Sequence, residues 1–151
     1  EWQIRNIHQL ILKNIDDENA GRYRQQNVLI SGATTTPSDY TLLNDKMAQL
    51  IDWYNTEAHK LHPIERAAKV HADFVGIHPF IDGNGRTSRL LMNLELLKAG
   101  YPPCVITVEN RLAYYEALDQ WMAYGKTEPF INLVSEAVLE GFKPYQVVLG
   151  I

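Results

Sequence analysis

The chain has 151 residues, 46% of them hydrophobic, which is the size of one ordinary domain and enough to bury a core. Its 14 basic and 18 acidic residues leave a net charge of −4, which argues against a general affinity for nucleic-acid backbone or anionic membrane. The single cysteine, Cys104, excludes an internal disulfide and a multi-thiolate zinc site, and no run reaches the ~18 apolar residues of a membrane span, so a cytoplasmic setting is expected.

The chain opens on Glu1, in a stretch that already reads as helix, so the expectation is one domain over 1–151 cut from a longer protein. Ile4, Ile7, Leu10, Ile11 and Ile15 recur at helical spacing and stop in the polar run Asp16 to Gly21. From Tyr23 to Thr36 the pattern changes to short runs, Val28-Leu29-Ile30 and Thr34-Thr35-Thr36, separated by Gly32-Ala33, which predicts a small β-hairpin. Leu43, Met47, Leu50, Ile51 and Tyr54 mark a second helix, and Pro63 opens a third that carries Ile64, Ala67, Ala68, His71, Phe74 and Val75. A fourth, from about Gly85 to Ala99, is so rich in leucine that it is expected at the centre of the fold, closed by Gly100 and Pro102-Pro103. Thr107 is expected to cap a fifth helix running to Gly125, and Pro129 to open a sixth through Ile131, Val134 and Val138. The fold class is therefore all-α with one hairpin, and the tryptophans Trp2, Trp53 and Trp121 are expected to pack.

Chemistry concentrates in His78-Pro79-Phe80-Ile81-Asp82-Gly83-Asn84-Gly85-Arg86-Thr87-Ser88-Arg89. Gly83 and Gly85 permit positive φ, so consecutive N–H groups can form an anion-binding nest where the helix dipole adds positive potential. Asn84 tolerates the same conformation and is expected to bring an amide donor to that point. Arg86 and Arg89 fall in the first helical turn, where a cation opposes the dipole at roughly 0.3–1 kcal/mol each. A polyanion seated between their planar forks and the nest explains that placement, and a nucleotide di- or triphosphate fits. Asp82, a negative charge beside an expected anion, is explained by a divalent cation that arrives with the nucleotide, since Mg²⁺ takes one or two carboxylates plus phosphate oxygens. His78, with a reference pKa of about 6.5, is the expected general base. Phe80 and Ile81 are read as anchors for the underside of the loop. Each feature alone is more often a cap or a structural residue; their conjunction points to function.

This string resembles the signature of the Fic family, His-x-Phe-x-Asp/Glu-Gly-Asn-Gly-Arg-x-x-Arg, with every fixed position met. Gly21-Arg22-Tyr23-Arg24, the hairpin up to Pro37, Leu61-His62-Pro63 and Ala99-Gly100-Tyr101-Pro102-Pro103 also resemble the family's core. The resemblance implies an all-helical core with a β-hairpin flap, and transfer of AMP from ATP to a Ser, Thr or Tyr hydroxyl of a target protein with release of pyrophosphate. It implies that His78 deprotonates the hydroxyl, Asp82 holds Mg²⁺, Gly83, Asn84 and Gly85 cradle the α and β phosphates, and Arg86 and Arg89 steady the outer ones. It further implies that Ser31, Gly32, Ala33 and Thr34 form a flap over the nucleotide, that a target segment docks along the flap near Ser31 to Thr36, and that Tyr114 and Tyr115 border the adenine. Without the resemblance, both tyrosines read as core and Ser31 to Thr34 as an ordinary turn.

Fic proteins are commonly restrained by a helix bearing Ser/Thr-x-x-x-Glu-Gly/Asn, whose glutamate would meet Arg89. Asn14 to Glu18-Asn19 has the wrong first residue, and Ser135 to Glu140-Gly141 is one residue too long. The brake is therefore expected in a further segment or on a partner, and this chain is expected to be active without it. The alternatives are the same fold with another transfer (phosphocholine, phosphoryl, or removal of AMP) and a non-catalytic nucleotide-binding module. Of the remaining histidines considered, His59 and His62 lack a third metal ligand and read as surface residues, and His71 as a satisfied core residue.

Overall fold

A computed structural model describes residues 1–150 of the chain, in six α-helices: α1 Trp2–Leu12, α2 Leu43–Thr56, α3 Pro63–Ile77, α4 Asn84–Lys98, α5 Arg111–Tyr124 and α6 Glu128–Leu149. No strand is present among the described residues, and short 3₁₀ turns at Tyr40–Leu42 and Ala58–Lys60 flank α2. None of these helices is long and apolar enough to cross a membrane.

The hub is α3, not the leucine-rich α4. Helix α3 begins with Pro63 in its first turn, where a missing N–H costs nothing, behind His62, whose Nδ1 accepts from the Ile64 N–H at 3.3 Å. It buries residues around most of its circumference: Ala67, Ala68, Val70, His71, Ala72, Phe74, Val75 and Ile77. Its small residues admit α4 closely, and its two sides feed two apolar clusters. One joins α3 and α4 to α5 and α6 through Met92, Leu96, Leu118, Phe130, Val134 and Val138. The other joins it to α1 and α2 through Ile4, Leu43, Met47, Leu50, Phe74 and Phe80.

Helix α4 departs from the expectation because most of its leucines do not occupy its buried face. Leu90, Leu94 and Leu97 are 47%, 42% and 55% exposed, whereas Asn84, Thr87, Ser88 and Glu95 lie buried beside Met92 and Leu96. The Glu95 carboxylate is satisfied there by the Tyr54 hydroxyl at 2.7 Å, Arg66 at 3.0 Å and Lys98 at 2.8 Å, which is what permits its burial. The stripe on α1 is also shifted: Ile4, His8 and Leu12 are buried, and Leu10 and Ile15 are exposed, Ile15 lying beyond a left-handed turn at Asn14. Trp2 is exposed rather than packed, while Trp53 and Trp121 are half-buried.

Two further boundaries differ. Helix α5 starts at Arg111, so Thr107 does not cap it; it closes on Gly125 in the left-handed conformation. Helix α6 continues past Val138 through Pro144 to Leu149, its last turns exposed.

The expected hairpin is not formed as paired strands. Residues 22–39 run as irregular chain with a turn in which the Ala33 N–H donates to Ile30 O at 3.2 Å. An isolated two-stranded ribbon is marginal without a third strand, and this segment is held by side chains instead. Buried Arg24 donates to His78 O at 2.8 Å, to Gln26 O at 2.8 Å and to Ser38 O, spanning both ends of the segment. Asp119 of α5 grips Thr34 at the tip.

Candidate active site

The site is built where α3 stops and α4 starts. His78 ends α3 in the left-handed conformation, at φ 53°, and its N–H still bonds Phe74 O at 3.0 Å. Five residues on, Gly83 takes φ 80° as the N-cap of α4. Between these two reversals Phe80 is driven into the core, fully buried, contributing ~1.5–3 kcal/mol by area alone. The backbone of Phe80 is held by Asn84: its Oδ1 accepts from the Phe80 N–H at 3.0 Å and its Nδ2 donates to Phe80 O at 2.8 Å. This corrects the expectation for Asn84, whose buried amide is committed to the loop's backbone. Asn84 and Gly85 are helical, so Gly83 alone supplies the positive φ of the turn.

Above this loop lies a cavity of about 520 Å³, the volume of a small-molecule site. His78, Asp82, Gly83, Asn84, Gly85, Arg86 and Arg89 line it, together with Ser31, Gly32, Ala33, Tyr114 and Tyr115. Thr34, the remaining member of the expected set, stands at the rim, its N–H donating to Asp119 Oδ1 at 2.8 Å and its hydroxyl to Oδ2 at 2.7 Å.

The tautomer of His78 follows from its partner. Nδ1 lies 3.3 Å from Val75 O, and a carbonyl only accepts, so Nδ1 carries the hydrogen and Nε2 keeps its lone pair. Burial pushes its pKa below the ordinary value, keeping the ring neutral near pH 7. At the other end, Asp82 Oδ1 accepts from the Gly83 N–H at 2.6 Å, and Oδ2 accepts from Arg86 at 2.8 Å across a largely exposed pair. Arg89 is exposed at the cavity wall, and no carboxylate pairs with it among the described residues. The α4 N-terminus carries no acidic residue in its first turn. This end of the site is therefore net positive and suited to phosphate.

A divalent ion fits this donor set in one way only. No group of three or more His, Cys, Asp or Glu side chains is assembled among the described residues, so a resident metal cage is absent. Asp82 offers one accessible carboxylate beside the phosphate-suited amides, which is the environment of Mg²⁺ that brings most of its ligands with a nucleotide.

Tyr114 and Tyr115 divide the wall between them. Tyr114 is buried and shares a 2.8 Å hydrogen bond with His71 Nε2, and Tyr115 is half-exposed, meeting it edge-on at 5.2 Å. Tyr114 is thus both core and cavity wall. His71 is fully buried and burial pushes its pKa down to about 3, so it stays neutral; only Nε2 has a partner, and Nδ1 has none among the described residues.

Several lining residues escaped the sequence pattern. Ile30, Leu112, Leu118 and Met122 make an apolar end of the cavity beside the tyrosines, and Asp119 closes it against the flap. Periodicity on α5 from Tyr115 would have reached Asp119 and Met122, one and two turns along the same face. Of the two residues that brace the loop from below, His8 carried no signal, and Arg24 was marked only as part of the stretch resembling the family's core. Glu140 pairs with Lys143 at 2.6 Å on the exposed face of α6, as an ordinary surface pair. Cys104 is buried with its thiol pushed up to about 12, an inert packing residue.

A model of the Fic/DOC family matches residues 1–96. The chain is 39% identical over 134 residues to a protein adenylyltransferase fic-1 of Caenorhabditis briggsae, and 40% identical over 135 residues to a protein adenylyltransferase Fic of Drosophila willistoni. Each alignment takes in 88% of this chain and 26% of the relative, so the chain spans about a quarter of the length of these proteins. Among solved structures it is similar to Fic-1 (residues 134–508) from C. elegans, with a TM-score of 0.88 and 35% identity over 99% of this chain and 43% of that one. On the combined strength of the matched motif and the shared fold, the chain belongs to the Fic/DOC family.

Proposed function

We propose that this chain is the catalytic core of a protein adenylyltransferase, which moves AMP from ATP taken up with Mg²⁺ to a Ser, Thr or Tyr hydroxyl of a target protein. One observation carries the reading: an imidazole with a free Nε2 shares a single cavity with the α4 N-terminus and two guanidiniums. A binding module needs the second half of that arrangement but not the first. The similarity to protein adenylyltransferases supports the same reaction.

In this reading the adenine lies at the apolar end, against Tyr115, Leu112 and Met122, and the phosphates lie on Gly83 to Gly85. Arg86 and Arg89 hold the β and γ phosphates, which become the leaving pyrophosphate. The target hydroxyl gives its proton to His78 Nε2 as its oxygen bonds to the α-phosphorus, and the bond to the β-bridging oxygen breaks. Mg²⁺, held by Asp82 and the phosphates, would offset the charge gathering on the leaving group. Binding releases Arg86 from Asp82, freeing the carboxylate for the ion and the guanidinium for a phosphate. His78 and the Gly83 to Gly85 amides are fixed by the ends of α3 and α4, so those groups are placed before substrate arrives.

The target docks along Ser31 to Thr36. An extended target segment laid there supplies the pairing partner that the lone flap lacks, so the hairpin forms as strands only in the ternary complex. The restraining glutamate comes from a segment or partner outside this chain. The buried, lone Cys104 and the acidic net charge suit a cytoplasmic domain without nucleic-acid partners.

The test is incubation with ATP labelled at the α or at the γ phosphate, with and without Mg²⁺, using the chain and its His78→Ala variant. Label in protein from the α position only, dependent on His78, is the expected result. Label from the γ position alone would mean a kinase, and none from either position, with ATP still bound, would mean a binding module.

A further inference from the structure

Outside the cavity, one side chain is built into the catalytic loop more tightly than packing requires. His8 of α1 is fully buried. Its Nδ1 accepts from the Gly21 N–H at 2.8 Å, so Nε2 carries the hydrogen and donates to Asp82 O, also at 2.8 Å. The ring is neutral in this arrangement and lies flat on Phe80, with centroids 3.5 Å apart and planes 5° from parallel. A Cβ placed on Gly83 would come within 3.0 Å of His8 Nε2, so glycine at 83 serves this approach as well as the positive φ. One imidazole thus fixes the carbonyl of Asp82, the ring that anchors the loop, and the space beneath Gly83.

We propose that His8 is a positioning residue for the nucleotide site: by holding the Asp82 carbonyl from beneath, it fixes the Asp82–Gly83 peptide, whose N–H donates to the Asp82 carboxylate and so sets its aim into the cavity. This rests on the reading of that cavity as a Mg²⁺·ATP site. The hydrogen bonds of His8 run in opposite directions, one to the chain that leaves α1 and one to the loop that opens α4. Only the second serves the site. A merely structural histidine would need both equally.

Two partial mimics separate the halves. In His8→Asn the side-chain oxygen can stand where Nδ1 stands and keep the Gly21 bond, but nothing reaches Asp82. In His8→Gln the terminal amide N–H₂ can stand where Nε2 stands and keep the Asp82 bond, but Gly21 loses its acceptor. The measurements are Mg²⁺·ATP affinity by calorimetry, melting temperature, and hydrogen exchange at the amides of residues 83–85, on the full chain. Outer partners of metal-facing groups typically change metal affinity by roughly 10–100-fold when removed. The expected result is a loss in that range for His8→Asn and a much smaller one for His8→Gln, although both melt lower than the parent. Equal affinities in the two variants, or losses that follow melting temperature alone, would overturn the proposal. If the parent chain took up no Mg²⁺·ATP, the functional reading would fall by itself. The exchange data would still decide on His8: faster exchange at 83–85 in His8→Asn than in His8→Gln supports it, and equal exchange refutes it.

Discussion

Asp119 holds Thr34 by both its backbone N–H and its hydroxyl, two bonds of 2.8 and 2.7 Å across 85 residues of sequence, and these bonds fasten the flap to α5 over the cavity. The hydrogen bonds from Thr34 also hold the Asp119 carboxyl below the usual carboxylate range. Asp119→Ala is expected to speed hydrogen exchange at Ala33 and Thr34 and to raise the ATP dissociation rate several-fold, with the melting temperature nearly unchanged. Because the folded pKa is depressed, the fastening is present above the unfolded value of about 4 and is lost as pH falls through the lower folded one. Exchange at Thr34 measured down a pH series checks this directly.

For His78, substitution by Ala should leave ATP affinity within a few-fold of the parent and lower transfer by roughly 10²–10⁴-fold, the usual contribution of a positioned base. The base works only when neutral, and burial lowers its pKa, so the midpoint of the rate profile should lie below the ordinary imidazole value of about 6.5, with the rate falling as pH drops through it. A kcat/KM profile centred above pH 7 would contradict the assignment.

Among the described residues Arg89 reaches the cavity without a carboxylate partner, so its replacement removes a charge without stranding another. Arg89→Ala should weaken ATP by about 1.5–3 kcal/mol, the scale of a hydrogen bond to a charged group, and leave adenosine binding almost untouched. Comparing the two ligands by calorimetry is the check. An equal loss for both would move Arg89 away from the phosphates.

The Asn84 side chain ties Phe80's backbone to α4 through two hydrogen bonds, and both partners are buried. Asn84→Ala leaves a buried N–H and a buried C=O unpaired, at roughly 1–3 kcal/mol each. Thermal unfolding should show the loss, and ATP binding should weaken because the loop above Phe80 is no longer fixed. Asn84→Asp can restore the acceptor but not the donor and should fall between.

Acid stability should report His71. Its folded pKa of about 3 lies below the unfolded value of about 6.5, so stability is complete above 6.5 and declines as pH falls toward 3, where the folded form also protonates. His71→Phe should be less stable at pH 7, because Tyr114 loses its hydrogen-bond partner, yet lose less on acidification. Denaturant midpoints at pH 7 and pH 4.5 separate the two effects.

Much of this was legible in the residues. Pro63, Pro129 and Gly125 marked helix ends because their effects are local, acting through φ and the missing N–H. The motif from His78 to Arg89 was legible for the same reason: glycine before a helix and Arg86 in its first turn are short-range statements, although the earlier start of α4 at Asn84 puts Arg89 in the second turn. What depended on distant partners was not. Leu90, Leu94 and Leu97 promised burial, but the face toward α3 went to Ser88, Met92 and Glu95, and only the partners Tyr54, Arg66 and Lys98 make Glu95 tolerable there. The two β-branched runs near Gly32 promised a ladder, but a ladder needs a third strand that these residues do not supply. Nothing in the spacing around His8 or Arg24 distinguished a brace from a surface side chain.

The corner between α3 and α4 has an electrical consequence. Helix α3 presents its carbonyl end where His78 stands, and α4 presents its amide end a few residues later, so one turn of chain brings a partial negative and a partial positive pole to the same cavity. In the proposed reaction, a proton leaving an alcohol would be drawn toward the first pole, where a cationic imidazolium is eased, while negative charge spreading onto a departing pyrophosphate would be drawn toward the second. Lengthening the connection between them by a residue or two would preserve every side chain and still blunt that gradient.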